Sequence, residues 1–364
     1  MVTPRLEDGR ELPCVVDTGS PVTLLAESLE PDLGPCLGTH TLWNFGDRYD
    51  ANGYAAPRLY LGGAPLVADS NVLTSDCVEK LSSDMGRPVM GILGMDCLQH
   101  YCIQLDFKAG KMRFLKPDRV KAAKLGKAFV LTFSSRGNSD ARWIRPYIHW
   151  RHLVGPQEAD LLIDTGYDRD GALTPELFRQ KIREHTLQME ADANDAREPK
   201  VAYLPKCVWS GNTYTDLAIA NGRHATEPDR GGNLLGLRFL ARHLVTFDFP
   251  RRTMYLKQRS TGPLVSRETT AAGRAAAKSA YRYGRHLMKS GRLPGWSKQD
   301  RGAFSKTAHF SRYPETITFT ARKRDDPSIY HYEFTRASKD DPWKLHQAWR
   351  THQDDRMIEE YPVP

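Results

Sequence analysis

Cys14-Val15-Val16-Asp17-Thr18-Gly19-Ser20 and Leu161-Leu162-Ile163-Asp164-Thr165-Gly166-Tyr167 are the two stretches on which the reading of this 364-residue chain turns. In each, an apolar run ends at Asp-Thr-Gly. A short apolar run closed by a Gly turn reads as a buried strand, and the Gly permits a tight, close backbone approach. A single triplet of this kind reads as a strand-ending turn whose Asp bonds nearby backbone. Two of them deliver two carboxylates from two buried strands, and that is the equipment needed to activate a water molecule held between them.

The surroundings of the triplets repeat as well. Gly91-Ile92-Leu93-Gly94-Met95-Asp96 follows the first, and Leu234-Leu235-Gly236-Leu237-Arg238 follows the second. Each is succeeded by a strand pair of one shape: Ile103 to Phe107 with Lys111 to Phe114, and Val245 to Phe249 with Thr253 to Leu256. Asp17 and Asp164 lie 147 residues apart, whereas Gly94 and Gly236, and Asp106 and Asp248, lie 142 apart. Several features in one order at nearly constant offset indicate an internal duplication.

On the residues Asp17-Thr18-Gly19-Ser20, Ile92-Leu93-Gly94, Asp164-Thr165-Gly166 and Leu234-Leu235-Gly236, residues 1–258 resemble the pepsin and retropepsin superfamily of aspartic peptidases. Leu234 to Leu256 and the compact halves look most like the bacterial retropepsin-like branch. The resemblance implies a mostly β fold of two pseudo-symmetric acid-protease-like β-barrel lobes in one chain, residues 1–118 and 119–258. A small α+β C-terminal domain over 259–364 is expected to follow. It implies an aspartic-type endopeptidase with Asp17 and Asp164 as the catalytic pair, sharing one proton, and with no metal, no cofactor and no covalent intermediate. Thr18 and Thr165 are expected to brace the two loops across the axis. Gly19 and Gly166 are expected to give main-chain N–H groups to the carboxylates, and the Ser20 hydroxyl to reach the outer oxygen of Asp17. The second copy departs from the pattern, since Tyr167 stands where a small residue often follows the Gly. A second reading keeps the fold without the chemistry, as a non-catalytic peptide- or protein-binding module. A glycosidase with two carboxylates is a weaker third, because it leaves the paired Gly motifs without a purpose.

Composition bounds the partners. No run of about 20 apolar residues exists, so no transmembrane helix is expected, and Met1 to Arg10 has no apolar signal core. The resemblance implies a further strand before the first triplet, so a truncated start is expected. The location is periplasmic or secreted if a leader is missing and cytoplasmic otherwise. The net charge of +8 is uneven: −6 over 1–118, +6 over 119–258 and +8 over 259–364. The expected partner is a peptide or protein substrate, with no nucleic acid, in a monomer. Cys14, Cys97 and Cys102 lie in apolar strand-like runs and read as core residues. No zinc spacing is present among Cys14, Cys36, Cys77, Cys97, Cys102 and Cys207, and a Cys36–Cys77 bridge has no support beyond the two residues being there.

Around the triplets, Glu7 to Arg10 and Leu59 to Gly63 read as hairpin turns, and Val67 to Leu73 as a strand. Two segments are candidates for a flap over substrate, 37–57 with Trp43, Phe45, Tyr49 and Tyr54, and 201–215 around Ser210-Gly211-Asn212. Thr174-Pro175-Glu176 opens a helix to His185. Asp168 and Asp170 read as an exposed acidic turn. Asp106 and Asp248 read as strand or hairpin residues, and His100, His149, His152 and His243 as surface or core histidines. After a linker at 259–263, residues 265–290 read as a helix with a basic stripe (Arg274, Lys278, Arg282, Arg285, Lys289) beside an apolar one (Ala276, Ala280, Tyr283, Leu287). Strands near 316–320, 329–334, 343–350 and 359–363 follow, and their residues form no pattern that points to a chemistry.

Overall fold

The computed structural model describes every residue except 45–46, 69–70, 86, 117–120, 136–143, 152–157, 190–200, 223–231, 264–266, 301, 305–308, 312–314, 325, 327, 339, 352–356 and 363–364. The chain is mostly β, built from several sheets with a few helices. Its contacts divide it into two compact units. One comprises residues 1–25, 30–75 and 91–266, and the other 26–29, 76–90 and 267–364.

The first unit holds both triplets, each at the end of a strand in its own sheet. Cys14–Val16 runs parallel to Gly91–Leu93, which pairs antiparallel with Leu24–Leu25; that strand is parallel to Val72–Thr74. In the other sheet Glu158–Ile163 runs parallel to Asn233–Leu235, which pairs antiparallel with Gly171–Leu173; that strand is parallel to Asn212–Asn221. The two sheets therefore repeat one local wiring: a triplet strand, a crossing strand, and the strand that leaves the triplet loop. Cys14, Ile92, Leu93, Ile163 and Leu235 are at most 1 % exposed. Burial on both faces is why these strands read as continuous apolar runs and do not alternate.

A five-stranded sheet carries the last strands of each repeat, in the order Lys111–Phe114, Cys102–Asp106, His243–Asp248, Thr253–Gln258, Lys127–Val130. Its central pair is antiparallel and brings Gln104 opposite Thr246, the residue at the repeat offset of 142. Gln104 Nε2 donates to Thr246 Oγ1 at 3.0 Å. Asp106 and Asp248 close the hairpins that follow, accepting the N–H groups of Ala109 (3.1 Å) and Arg251 (3.3 Å). Both flap candidates are antiparallel hairpins, Gly38–Asn44 with Asp47–Tyr54 and Val201–Trp209 with Asn212–Asn221; Phe45 lies outside the described residues. The Thr174 hydroxyl accepts the Leu177 N–H at the start of the helix Pro175–Arg183, as its position before Pro predicts.

Two expectations need correction. Val67 to Leu73 is not one strand: Ala64–Leu66 closes a hairpin on Leu59–Leu61 through Gly62 and Gly63, both at positive φ, and Val72–Thr74 belongs to the triplet sheet. Cys97 is buried, but on the short helix Met95–Leu98. Cys36 and Cys77 are both free thiols, the first exposed and the second buried.

In the second unit the helix Arg267–Ser290 accompanies an antiparallel sheet ordered Gly302–Phe304, Glu315–Lys323, Ile329–Arg336, Lys344–Thr351, Met357–Tyr361, with His309–Ser311 also on Glu315–Lys323. Ala276, Ala280 and Leu287 form one core with Ile317, Phe319, Tyr332, Phe334 and Trp343. Lys278, Arg282, Arg285 and Lys289 are exposed, so the helix is amphipathic as its two stripes predict. The side chain of Arg274 lies outside the described residues. Among the described residues no helix is long and apolar enough to cross a membrane.

Candidate active site

The parallel ladders position the two carboxyl groups. Asp17 N–H donates to Leu93 O at 3.0 Å and Asp164 N–H to Leu235 O at 2.9 Å, so each aspartate is the last residue its crossing strand holds. The chain then turns through Thr-Gly. The crossing strands end at Gly94 and Gly236, and a Cβ on either would collide with the backbone carbonyl of Val22 or Arg169. That close crossing explains why an apolar pair followed by Gly recurs at this point in both copies.

The two loops hold each other. Thr18 Oγ1 donates to Ile163 O at 2.6 Å and accepts the Thr165 N–H at 3.1 Å. Thr165 Oγ1 donates to Val16 O at 2.7 Å and accepts the Thr18 N–H at 3.0 Å. Thr18 is fully buried and Thr165 is 4 % exposed. Gly19 N–H donates to Asp17 Oδ1 and Gly166 N–H to Asp164 Oδ1, both at 2.8 Å. The glycines also make room for the opposite acid. A Cβ on Gly19 would stand 2.5 Å from Asp164 Cγ, and one on Gly166 2.5 Å from Asp17 Cγ. Each carboxyl therefore lies over the other loop's glycine, and the two carboxyl groups are within hydrogen-bonding reach of each other.

Burial dominates the electrostatics of the pair. It pushes the Asp17 carboxyl up, against hydrogen bonds from Gly19, Asp164 and Ser20 that favour the charged form. It pushes Asp164 well above the usual carboxylate range, and the neighbouring Asp17 charge adds to that. Two carboxylates so close do not both ionise readily, and their titration belongs to the pair and not to either residue.

Every residue of the expected site is thus gathered in one place, with one correction of detail. The Ser20 hydroxyl does not reach Asp17; it donates to Val22 O at 2.7 Å, and it is the Ser20 backbone N–H that lies 3.2 Å from Asp17 Oδ1. Tyr167, the matched residue, is half-buried, and its carbonyl accepts the Leu237 N–H at 2.7 Å. Asp168 is exposed, as the acidic-turn reading expects, but Asp170 is not. Asp170 is 2 % exposed and pairs with Arg242, which is fully buried. His243 is a core residue, with Tyr214 on one ring nitrogen and the Phe239 carbonyl on the other. His149 is exposed beside Asp160, and His152 lies outside the described residues. Among the described residues no group of three or more His, Cys, Asp or Glu side chains is arranged to hold a metal.

Thr23, Asp96, Asp170 and Arg242 form polar contacts behind the loops that the sequence reading does not assign. Thr23 Oγ1 donates to Asp96 Oδ1 at 2.7 Å, and Arg242 Nε donates to Asp170 Oδ1 at 3.1 Å. The available signal was positional: Thr23 and Asp170 each stand six residues after their aspartate.

No protein-family model matches the chain, and no curated protein matches it in sequence. Among solved structures it is similar to the aspartic proteinase from Irpex lacteus, at 13 % identity and a TM-score of 0.41, over 71 % of this chain and 94 % of that one. It is also similar to Basic 7S globulin from soybean, at 12 % identity and a TM-score of 0.39, over 71 % of this chain and 92 % of that one.

Proposed function

We propose that the chain is a single-chain aspartic-type endopeptidase in which Asp17 and Asp164 activate one water molecule for attack on a peptide carbonyl. The observation that carries this reading is the pair of opposed carboxyl groups, each over the other loop's glycine and each raised in pKa by burial. The ionised member takes a proton from water as it attacks, and the protonated member donates to the developing oxyanion. Proton transfer to the nitrogen then releases the amine, with no covalent intermediate. Thr18, Gly19, Ser20, Thr165 and Gly166 hold the pair in register and take no part in proton transfer. The pairing of Gln104 with its repeat counterpart Thr246 supports a two-lobed arrangement over 1–118 and 119–258. The hairpin Gly38–Asn44 with Asp47–Tyr54 is then the cover that folds over an extended peptide, whereas the end of the hairpin Val201–Trp209 with Asn212–Asn221 is packed inward, with Trp209 stacked on Trp150 and Tyr214 fully buried.

The test is a diverse peptide library incubated with the protein from acidic to neutral pH, with products read by mass spectrometry. Wild type is expected to cut internal bonds. Asp17→Asn and Asp164→Asn are each expected to lose at least about 10³-fold of kcat/KM while remaining folded. Tight binding of peptides without products would replace this reading with a non-catalytic peptide-binding module on the same framework. Cutting undiminished in either variant would remove the shared-proton mechanism.

A further inference from the structure

The two triplet loops are fastened to the elements behind them by different chemistry at matched places. Six residues after Asp17 stands Thr23, whose hydroxyl donates to Asp96 Oδ1 at 2.7 Å and accepts the Gly94 N–H at 3.2 Å. Six residues after Asp164 stands Asp170, whose carbonyl accepts the Gly236 N–H at 2.9 Å. The position matching Asp96 is Arg238, whose positive charge acts on Asp170. The acid therefore stands on the crossing helix in the first copy, held by a neutral hydroxyl, and on the loop in the second, where a cation occupies the helix position.

The second copy goes further. Arg242 closes on Asp170 with Nε and Nη2 at 3.1 and 2.8 Å from Oδ1. Its remaining N–H groups donate to Thr215 O (2.6 Å), Thr261 O (3.0 Å) and Asp216 O (3.2 Å). Asp170 Oδ2 accepts the Ala218 N–H at 2.8 Å. One planar cation with five donors in a fixed fork thus joins three segments: the loop that carries Asp164, the hairpin Val201–Trp209/Asn212–Asn221, and the segment at Thr261 that follows the strand Thr253–Gln258. It joins the hairpin at its irregular point, where Asp216 has a φ of +56° and is left out of the ladder between the Lys206–Thr215 and Leu204–Leu217 pairs. At the place matching Arg242 the first copy has the exposed His100, so this lock belongs to the second loop alone.

We propose that Asp170 and Arg242 are a positioning pair for Asp164, fixing the 164–170 loop against the 201–221 hairpin. This rests on the peptidase reading above and names what sets the geometry of its second carboxyl. A misplacement of about 1 Å in a catalytic group costs roughly 10²-fold in rate, whereas simple loss of stability leaves the rate per folded molecule intact.

The experiment compares wild type with Arg242→Met, Arg242→Lys and Asp170→Asn, each at a temperature where circular dichroism shows it folded. Phe247→Leu, a core change in the central sheet, serves as a control for lowered Tm. The expected result is a fall in kcat of about 10- to 100-fold for Arg242→Met with KM within about twofold. Arg242→Lys should restore part of it, because Lys keeps the charge but not the fork. Amide exchange at Gly166 and Tyr167 should quicken in the same order, and Phe247→Leu should lower Tm without either change. If Arg242→Met does not fold, the two milder variants decide. Lowered Tm with kcat and loop exchange unchanged would overturn the proposal. A wild type with no peptidase activity would sink the parent reading, and loop exchange alone would then judge the pair.

Discussion

Thr18 and Thr165 are bound to each other's loops in reciprocal fashion: each hydroxyl donates to a carbonyl of the other copy, Ile163 or Val16, and accepts the other threonine's N–H. The geometry of the acids depends on these four bonds, because each aspartate adjoins a threonine so held. Thr18→Val keeps the shape and removes the oxygen, leaving the Ile163 carbonyl and the Thr165 N–H without their partner in a buried place. The expected cost is about 2–6 kcal/mol, from two buried groups at about 1–3 kcal/mol each. Thr18→Ser, which retains the oxygen, should cost clearly less. Urea unfolding of the two variants checks this, and a loss in Thr18→Val no larger than that in Thr18→Ser would show that the hydroxyl carries no more than the methyl group.

Glycine at 19 and 166 has a sharper requirement. A methyl group on Gly19 would stand 2.5 Å from Asp164 Cγ, and one on Gly166 the same distance from Asp17 Cγ. Gly19→Ala or Gly166→Ala must therefore push the carboxyl groups apart, and cleavage should fall by about 10²-fold or more. Gly232→Ala is the control, since its Cβ would meet nothing within 4 Å. Peptide cleavage unaltered in Gly19→Ala would contradict the opposed arrangement of the two acids.

The dyad also gives stability a pH dependence with a definite sign. Both carboxyl groups have folded pKa values above the ordinary 3.8. A carboxyl raised in this way stabilises the fold fully below its unfolded value, and the contribution is lost as pH rises through the folded value. Asp164→Asn is neutral at every pH and escapes that loss. Its Tm should exceed that of wild type near pH 7, and the gain should shrink as pH falls toward about 4. Calorimetry across that interval provides the check, and a variant less stable than wild type at pH 7 would refute the sign.

The strands and the crossing glycines were legible in the sequence because they are local demands repeated twice, whereas the threonine braces, which reach 145 residues or more along the chain, came only with the family resemblance. An apolar run before Asp-Thr-Gly and a Gly after an apolar pair each state what the backbone must do at that residue. The lock at Asp170 was not legible. Its acid sits in a polar stretch, Tyr167-Asp168-Arg169-Asp170, that looks solvated, and its partner lies 72 residues away in the turn after the short helix Leu237–Leu240. Only tertiary packing decides that Asp168 faces water while Asp170 is buried on a guanidinium. The Ser20 hydroxyl illustrates a similar limit. Its type suits either a carboxylate or a carbonyl, and the path of the chain through Pro21 sets Val22 O within its reach. Val67 to Leu73 misled for a simpler reason: of its apolar residues only Val72 and Leu73 pair in a sheet, while Val67 and Ala68 follow the end of the hairpin strand Ala64–Leu66.

His243 should pull stability the opposite way from the dyad. Its Nδ1–H donates to Phe239 O at 3.0 Å, and its Nε2 accepts from the Tyr214 hydroxyl at 2.9 Å, an arrangement suited to the neutral ring. Burial pulls its pKa down from 6.5 to about 4. A base depressed in this way supports the fold fully above its unfolded pKa, and the support is lost as pH falls toward the folded value. The loss between pH 6.5 and 4 amounts to about 3 kcal/mol, at roughly 1.4 kcal/mol per pKa unit. His243→Gln has no such titration, so its unfolding free energy should decline less than that of wild type over the same interval, by up to that amount. Parallel denaturant curves at pH 7 and pH 4 measure the difference, and identical declines in the two proteins would mean that His243 takes up its proton in the folded state as readily as in the unfolded one.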